Sequence, residues 1–211
     1  MKVLLINGSP HKDGCTHAAL KEAAGALNRE GIDTEFFWIG SKPVGGCTAC
    51  SSCRTLRKCV FNDVVNECRL RCLEADGFLF GTPVHFAAAS GSMTGFMDRL
   101  FYSELLGTGN AAFRMKPAAA VITARRAGTT AAFDQMIKYF TLMEMPVVSS
   151  RYWNMVHGAQ PKETEQDLEG LATIRVLGRN MAYMLKCFEA GAKSGIPLPE
   201  NEERVLTSFI R

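Results

Sequence analysis

No apolar run in this 211-residue sequence reaches the length of a membrane-spanning helix, because charged, polar or turn residues interrupt each one well before eighteen residues. The apolar start, Val3 to Ile6, is too short for a signal h-region, and turn residues follow it at once. The sequence has no block of like charge either. Its 24 basic and 21 acidic residues are spread along the chain and leave a formal charge of +3, so neither a nucleic-acid surface nor an anionic-membrane surface is expected. There is no internal repeat and no low-complexity tract. Also missing are a Gly-x-Ser-x-Gly elbow, a His-Glu-x-x-His helix and any paired constellation among the four histidines. These absences predict a cytoplasmic globular protein whose chemistry does not rest on a side-chain nucleophile or a histidine metal site.

What is present reads as one domain with an extension. With 47% apolar and 21% charged residues the chain can bury one good core, and its length does not demand two. Strands are expected at Val3 to Asn7, Thr34 to Ile39, Gly77 to Gly81, Ala118 to Thr123 and Pro146 to Ser149. Helical stripes run from about Cys15 to Leu27, Val64 to Leu73, Met93 to Leu105, Ala131 to Leu142 and Gln166 to Phe188. Strands alternating with helices specify an α/β fold: a doubly wound, five-stranded parallel sheet in flavodoxin-like order 2-1-3-4-5 with helices on both faces. The expected domain covers residues 1–193. Residues 194–211, with Val205, Leu206, Phe209 and Ile210, form a carboxyl-terminal arm that packs on its own domain or on a neighbouring subunit.

The loop after the first strand carries the first chemical signal. Gly8-Ser9-Pro10-His11-Lys12-Asp13-Gly14-Cys15-Thr16 lies where unpaired amides and the helix dipole favour an anion. A Walker loop would need Lys after Gly14, where Cys15 stands. A dinucleotide fingerprint would need Gly-x-Gly-x-x-Gly and an acid closing the second strand, which instead ends Phe37-Trp38-Ile39-Gly40. A terminal phosphate fits better, and FMN is a ligand of that kind. Candidate contacts here are Ser9, His11, Gly14, Cys15 and Thr16. The loop after the third strand adds Pro83, Val84, His85 and Phe86, flat or apolar groups suited to a tricyclic ring. The loop after the fourth strand adds Arg125 and Gly128.

The second signal is Cys47-Thr48-Ala49-Cys50-Ser51-Ser52-Cys53 followed by Cys59, a C-x2-C-x2-C-x5-C pattern within a cysteine-rich loop at residues 43–61. Thiols at intervals of three can wrap one face of a cubane, and a fourth completes the set. The spacing leaves open a [4Fe-4S] cluster on Cys47, Cys50, Cys53 and Cys59, free or redox-active thiols, and zinc. Cys68, Cys72 and Cys187 fall on apolar helical stripes and are expected in the core.

On these residues the sequence resembles the flavodoxin-like NADPH-dependent FMN reductase and iron-sulfur flavoprotein family. Gly8 to Thr16 is similar to the family's Gly-Ser-Pro-Arg-x-x-Gly-Asn-Thr loop, Thr82 to Phe86 to its Pro-Val-Tyr-Phe turn, and Arg125 to Thr130 to its third loop. Tyr152 to Gly158 looks like a further family segment. Cys15 replaces the family's Asn and His85 its Tyr. The resemblance implies an FMN-dependent oxidoreductase fed by NAD(P)H or a ferredoxin-like donor, working as a homodimer or homotetramer. Two other classes stay open on the residues: a flavodoxin-type electron carrier, and a zinc-bound interaction domain.

Overall fold

The structure, a computed structural model, describes residues 1–202 together with 205, 207 and 209. Leu206 and Ile210 of the expected arm lie outside the described residues.

Four strands fall where the apolar runs place them: β1 (Lys2–Asn7), β2 (Asp33–Trp38), β3 (Gly77–His85) and β5 (Ala118–Ala124). The parallel strands run β2-β1-β3-β5-β6, where β6 is Met155–His157, and the two-residue β4 (Ala88–Ala89) pairs only with β3. Setting β4 aside, this is the expected flavodoxin-like order. β1 from Val3 to Ile6 and β5 from Ala118 to Ile122 are uninterrupted apolar runs because both sheet faces are covered. Leu4, Ile6, Phe78, Phe80, Ala120 and Ile122 point to one face, against α3 (Val64–Glu74), α4 (Gly91–Gly107) and α5 (Thr129–Leu142). Val3, Leu5, Leu79, Ala119 and Val121 point to the other, against α1 (Cys15–Arg29) and α7 (Leu168–Lys193). Phe78, Phe80, Phe113 and Phe140 are fully buried, and trimming any one to Ala would cost ~3–5 kcal/mol.

The fifth sheet position corrects the expected strand at Pro146 to Ser149. That segment only touches the foot of β5, through a single bridge between Val147 and Ala118. The chain then leaves the sheet. The Ser150 hydroxyl bonds the Tyr152 carbonyl at 2.5 Å and the side chain of buried Asn154 at 2.7 Å, folding residues 150–154 into a bulge. The strand proper resumes as β6, beside Ile122 to Ala124. The detour brings the chain after β6 to the carboxyl edge of the sheet, where the cleft described below lies.

Cys68 and Cys72 are buried as expected, their sulfurs 3.8 Å apart. Cys187 is exposed. The buried stripe of α7 passes through Ile174, Leu177, Met181 and Leu185. A residue two beyond Leu185 sits on the opposite side of the helix. After Lys193 the chain turns back, and Arg114 donates to the carbonyls of Pro199 at 2.9 Å and Glu200 at 3.3 Å. Val205 and Phe209 are exposed. Among the described residues no helix is long and apolar enough to cross a membrane.

Candidate functional site

A cleft of about 680 Å³ opens at the carboxyl edge of the sheet, within the size range of small-cofactor sites. One wall is the loop between β1 and α1, which is held before any ligand arrives. Asn7, 1% exposed, accepts from the Ser9 amide at 3.0 Å and donates to the Lys12 carbonyl at 2.9 Å. The Trp38 indole donates to the Ser9 carbonyl at 2.8 Å, and Ser90 Oγ donates to the Gly8 carbonyl at 3.1 Å. The Ser9 hydroxyl accepts from the His11 amide at 3.1 Å and keeps its own proton to donate.

The loop delivers the chain to α1, whose cap residue Gly14 supplies no side-chain bond and whose first turn carries no acid. The first amides of a 15-residue helix are therefore left for an outside acceptor, with the positive end of the helix dipole behind them. Thr16 Oγ1 lies 2.8 Å from Thr123 Oγ1, tying the helix start to the end of β5. Burial pushes the Cys15 thiol above its usual pKa, and Glu163 adds to the effect, so Cys15 meets the cleft neutral.

The structure brings Ser9, His11, Gly14, Cys15, Thr16, Pro83, Val84 and Arg125 together around this cleft. It does not bring His85, Phe86 or Gly128 into the lining. The β3–β4 hairpin turns on Phe86 and Ala87, both in the left-handed region (φ 50° and 59°), and carries His85 and Phe86 outward; Phe86 is fully exposed. Gly128 backs the hairpin instead of facing the cleft: a Cβ there would sit 2.7 Å from Ala87 Cα. Sequence reasoning missed Thr123 and the strip Gly158, Ala159, Gln160 and Pro161, which close the far side. The family-like segment ending at Gly158 was the available signal.

The four cysteines of the second motif line a separate cavity with Arg99, Phe61, Tyr102 and Ser103. Left-handed residues at Ala49 (φ 52°) and Ser51 (φ 57°) coil the chain so that Cys47, Cys50 and Cys53 face one space. Arg57 (φ 56°) then reverses it after the short α2 (Cys53–Leu56) to return Cys59. The loop lies on a ridge of α4 with four-residue spacing. A Cβ on Gly95 would meet the Val44 carbonyl at 2.7 Å, and one on Gly107 would meet Arg57 Cα and the Cys53 carbonyl at 2.9 Å. Between these glycines stand Arg99 and Ser103. Burial raises the Cys53 thiol, whereas the Ser52 hydroxyl and amide lower exposed Cys50. Burial works against the charge on Arg99, but its bonds to Asp63 and Cys59 outweigh it and raise its pKa. Among the described residues no three Cys, His, Asp or Glu side chains are grouped to hold a metal ion. The thiols edge the cavity and do not meet at a point.

This strand order with a cleft at its carboxyl edge defines a flavodoxin-like protein, and the class is that of FMN-dependent oxidoreductases. The chain belongs to the NADPH-dependent FMN reductase family, which matches residues 1–160. Its relatives include the iron-sulfur flavoprotein MJ1083 of Methanocaldococcus jannaschii, 33% identical over 195 residues, or 88% of this chain and 98% of that protein. Another, MJ0731 of the same organism, is 28% identical over 83% of this chain and 92% of its own length. Among solved structures, RosB with bound 8-demethyl-8-formylriboflavin-5'-phosphate superposes with a TM-score of 0.69 at 15% identity, covering 100% of this chain and 94% of RosB. An NAD(P)H:quinone oxidoreductase from Methanothermobacter marburgensis gives 0.66 at 15% identity, covering 86% of this chain and 96% of its own. At that identity the two structures speak for the fold.

Proposed function

We propose that this cytoplasmic protein passes electrons from NAD(P)H or a ferredoxin-like donor through FMN, and through a [4Fe-4S] cluster, to an external acceptor. The observation that carries the reading is the uncapped start of α1, opening through an anchored loop onto the cleft. When bound, FMN supplies the chemistry: it takes a hydride and gives up electrons singly or in pairs.

The chain's part is to bind and orient. Backbone donors at Cys15 and Thr16 and the Ser9 hydroxyl hold the phosphate, with His11 and Gly14 completing the loop. Pro83, Val84 and Arg125 border the ring, and the strip Gly158 to Gln160 limits water on the far side. His85, Phe86 and Gly128 stay outside this set. For the cluster, each iron takes its own thiolate, so ligands must stand around a rim. That Cys47, Cys50, Cys53 and Cys59 line one cavity supports them as this ligand set. Residues 1–193 act as one domain, and the start of the arm at residues 194–200 runs back to it through Arg114. Exposed Tyr152 and Trp153, in edge contact at 4.7 Å, suit the buried face of a homodimer or homotetramer.

The test is anaerobic purification with flavin, iron and sulfide counted against protein. One FMN and four iron atoms per chain are expected, with the flavin bleached by NADPH or by a reduced ferredoxin. Protein that takes up no FMN would sink the reading. Flavin without iron or sulfide would leave a reductase and remove the cluster.

A further inference from the structure

One buried cation faces the cysteine-lined cavity, and the flavin reading gives it no task. Arg99 projects from the α4 ridge with its side chain only 3% exposed, and it is the one formally charged residue lining that cavity among those described. Each nitrogen of its fork has a partner. Nη1 and Nη2 donate to the two carboxylate oxygens of Asp63, each at 2.8 Å, which leaves Nε aimed at Cys59 Sγ, 3.3 Å away. The Phe61 ring covers the guanidinium at 4.9 Å. Asp63 is itself fixed, since it caps α3 through the Val65 amide at 3.2 Å.

The backbone of Cys59 is held as firmly. The buried amide of Asn66 accepts from the Cys59 amide at 3.1 Å, and it donates to the carbonyls of Cys59 at 2.9 Å and Phe61 at 2.8 Å. Cys47 and Cys50, by contrast, are exposed. Of the four thiols, Cys59 is thus the one whose main chain and sulfur are both clamped by buried side chains.

We propose that Arg99 is a positioning residue that aims Cys59 at the cavity and raises the electron affinity of the cluster held there. The inference rests on the cluster reading above. Taking up one electron makes the cluster and its thiolates more negative, with no bond made or broken. A buried cation with an N–H on a ligand sulfur stabilises that reduced state more than the oxidised one. A lysine would keep the charge but could not serve two carboxylate oxygens and a sulfur from one rigid plane.

The experiment compares anaerobically reconstituted wild type, Arg99→Met, Arg99→Lys and Asp63→Asn, each full length. Iron and sulfide are counted, and the cluster is titrated with dithionite while its reduced signal is followed by electron paramagnetic resonance. Arg99→Met is expected to have a lower midpoint potential than wild type, and Arg99→Lys to recover part of the loss. Asp63→Asn keeps the Arg99 cation but removes the carboxylate that aims it. It should stay nearer the wild-type potential while surrendering iron to a chelator several-fold faster.

Wild-type potential and chelation rate in all three variants would overturn the proposal and leave the cluster standing. Wild type without iron and sulfide would instead overturn the cluster reading and take this inference with it. Should Arg99→Met fail to fold, shown by loss of helical circular dichroism, Arg99→Gln takes its place. Gln offers an N–H without charge, so a lowered potential is again expected and an unchanged one again overturns the proposal.

Discussion

The cleft at the start of α1 and the cysteine loop on α4 are built by opposite means. The cleft is made by regular elements ending together: β1, β3, β5 and β6 stop at one edge, and the loop between β1 and α1 is pinned by Asn7, Trp38 and Ser90. The cysteine loop has no sheet to define it. It takes its shape from three left-handed residues and from the two glycines of α4 that let it settle. The first site belongs to the fold, so it survives changes that the second does not. The second should be lost more readily, as expected of an irregular segment on one helix.

That asymmetry can be broken from either end. Gly81 on β3 faces α1, and a Cβ there would come 2.8 Å from both Thr16 Cγ2 and Leu20 Cδ1. Gly81→Val should lever the helix start off the sheet at a cost of ~1–3 kcal/mol. The expected loss of FMN affinity is at least ~10-fold, measured by flavin fluorescence titration, with iron content little changed. Gly107→Val does the reverse: its side chain meets Arg57 and Cys53, so bound iron should fall below about half while FMN affinity stays within ~2-fold. If Gly107→Val released flavin as readily as iron, the two sites would not be separately built.

The same division explains what could be read from the sequence. β1 and β5 were legible because a strand buried on both faces is a short apolar run stopped by polar or turn residues. The phosphate-loop candidates followed from Gly8 to Thr16, since their role depends on where a strand hands over to a helix. The fifth strand was misplaced because Pro146-Val147-Val148 has strand chemistry but no partner beyond Ala118, and the bulge at residues 150–154 is set by the bonds of the Ser150 hydroxyl to Tyr152 and Asn154 and by the Ile122 amide donating to the Asn154 carbonyl. The cysteine spacing was plain, whereas its seating on α4 was not. An Arg among Met97, Leu100 and Phe101 carries no local sign that it will turn inward to a carboxylate and a sulfur.

Cys15 sharpens the comparison with a smaller effect, since it is a thiol in the fold-built site and not in the loop. Its sulfur sits 3.5 Å from the Gly158 carbonyl, and burial holds it neutral beyond the usual 9.0. A thiolate here would repel a dianionic phosphate. Because the pKa is raised above 9.0, affinity for FMN should be flat between pH 7 and pH 8, and a fall over that interval would refute the assignment. Cys15→Asn restores an amide donor where the family usually has one. A net hydrogen bond of ~0.5–1.5 kcal/mol predicts roughly 2- to 10-fold tighter binding.

The smallest effect on affinity is expected at the β3–β4 hairpin, which adjoins the cleft without lining it. Its two-residue turn requires positive φ at both Phe86 and Ala87, a geometry that Asn-Gly satisfies and that Phe-Ala meets only with strain of ~1–3 kcal/mol per residue. Phe86→Asn with Ala87→Gly should relieve part of that strain. If about 1 kcal/mol is recovered, Tm rises by about 2–4 °C for a chain of this size. Gly128 is left unchanged in this variant, because it is the residue against which the turn packs. Affinity for FMN should stay within ~2-fold, since the Phe86 ring stands in solvent. Were Phe86 a cover for the flavin, as its place in the sequence suggests, the same variant would lose ten-fold or more. One thermal melt and one titration therefore decide whether the cleft ends at Val84 or extends over the hairpin.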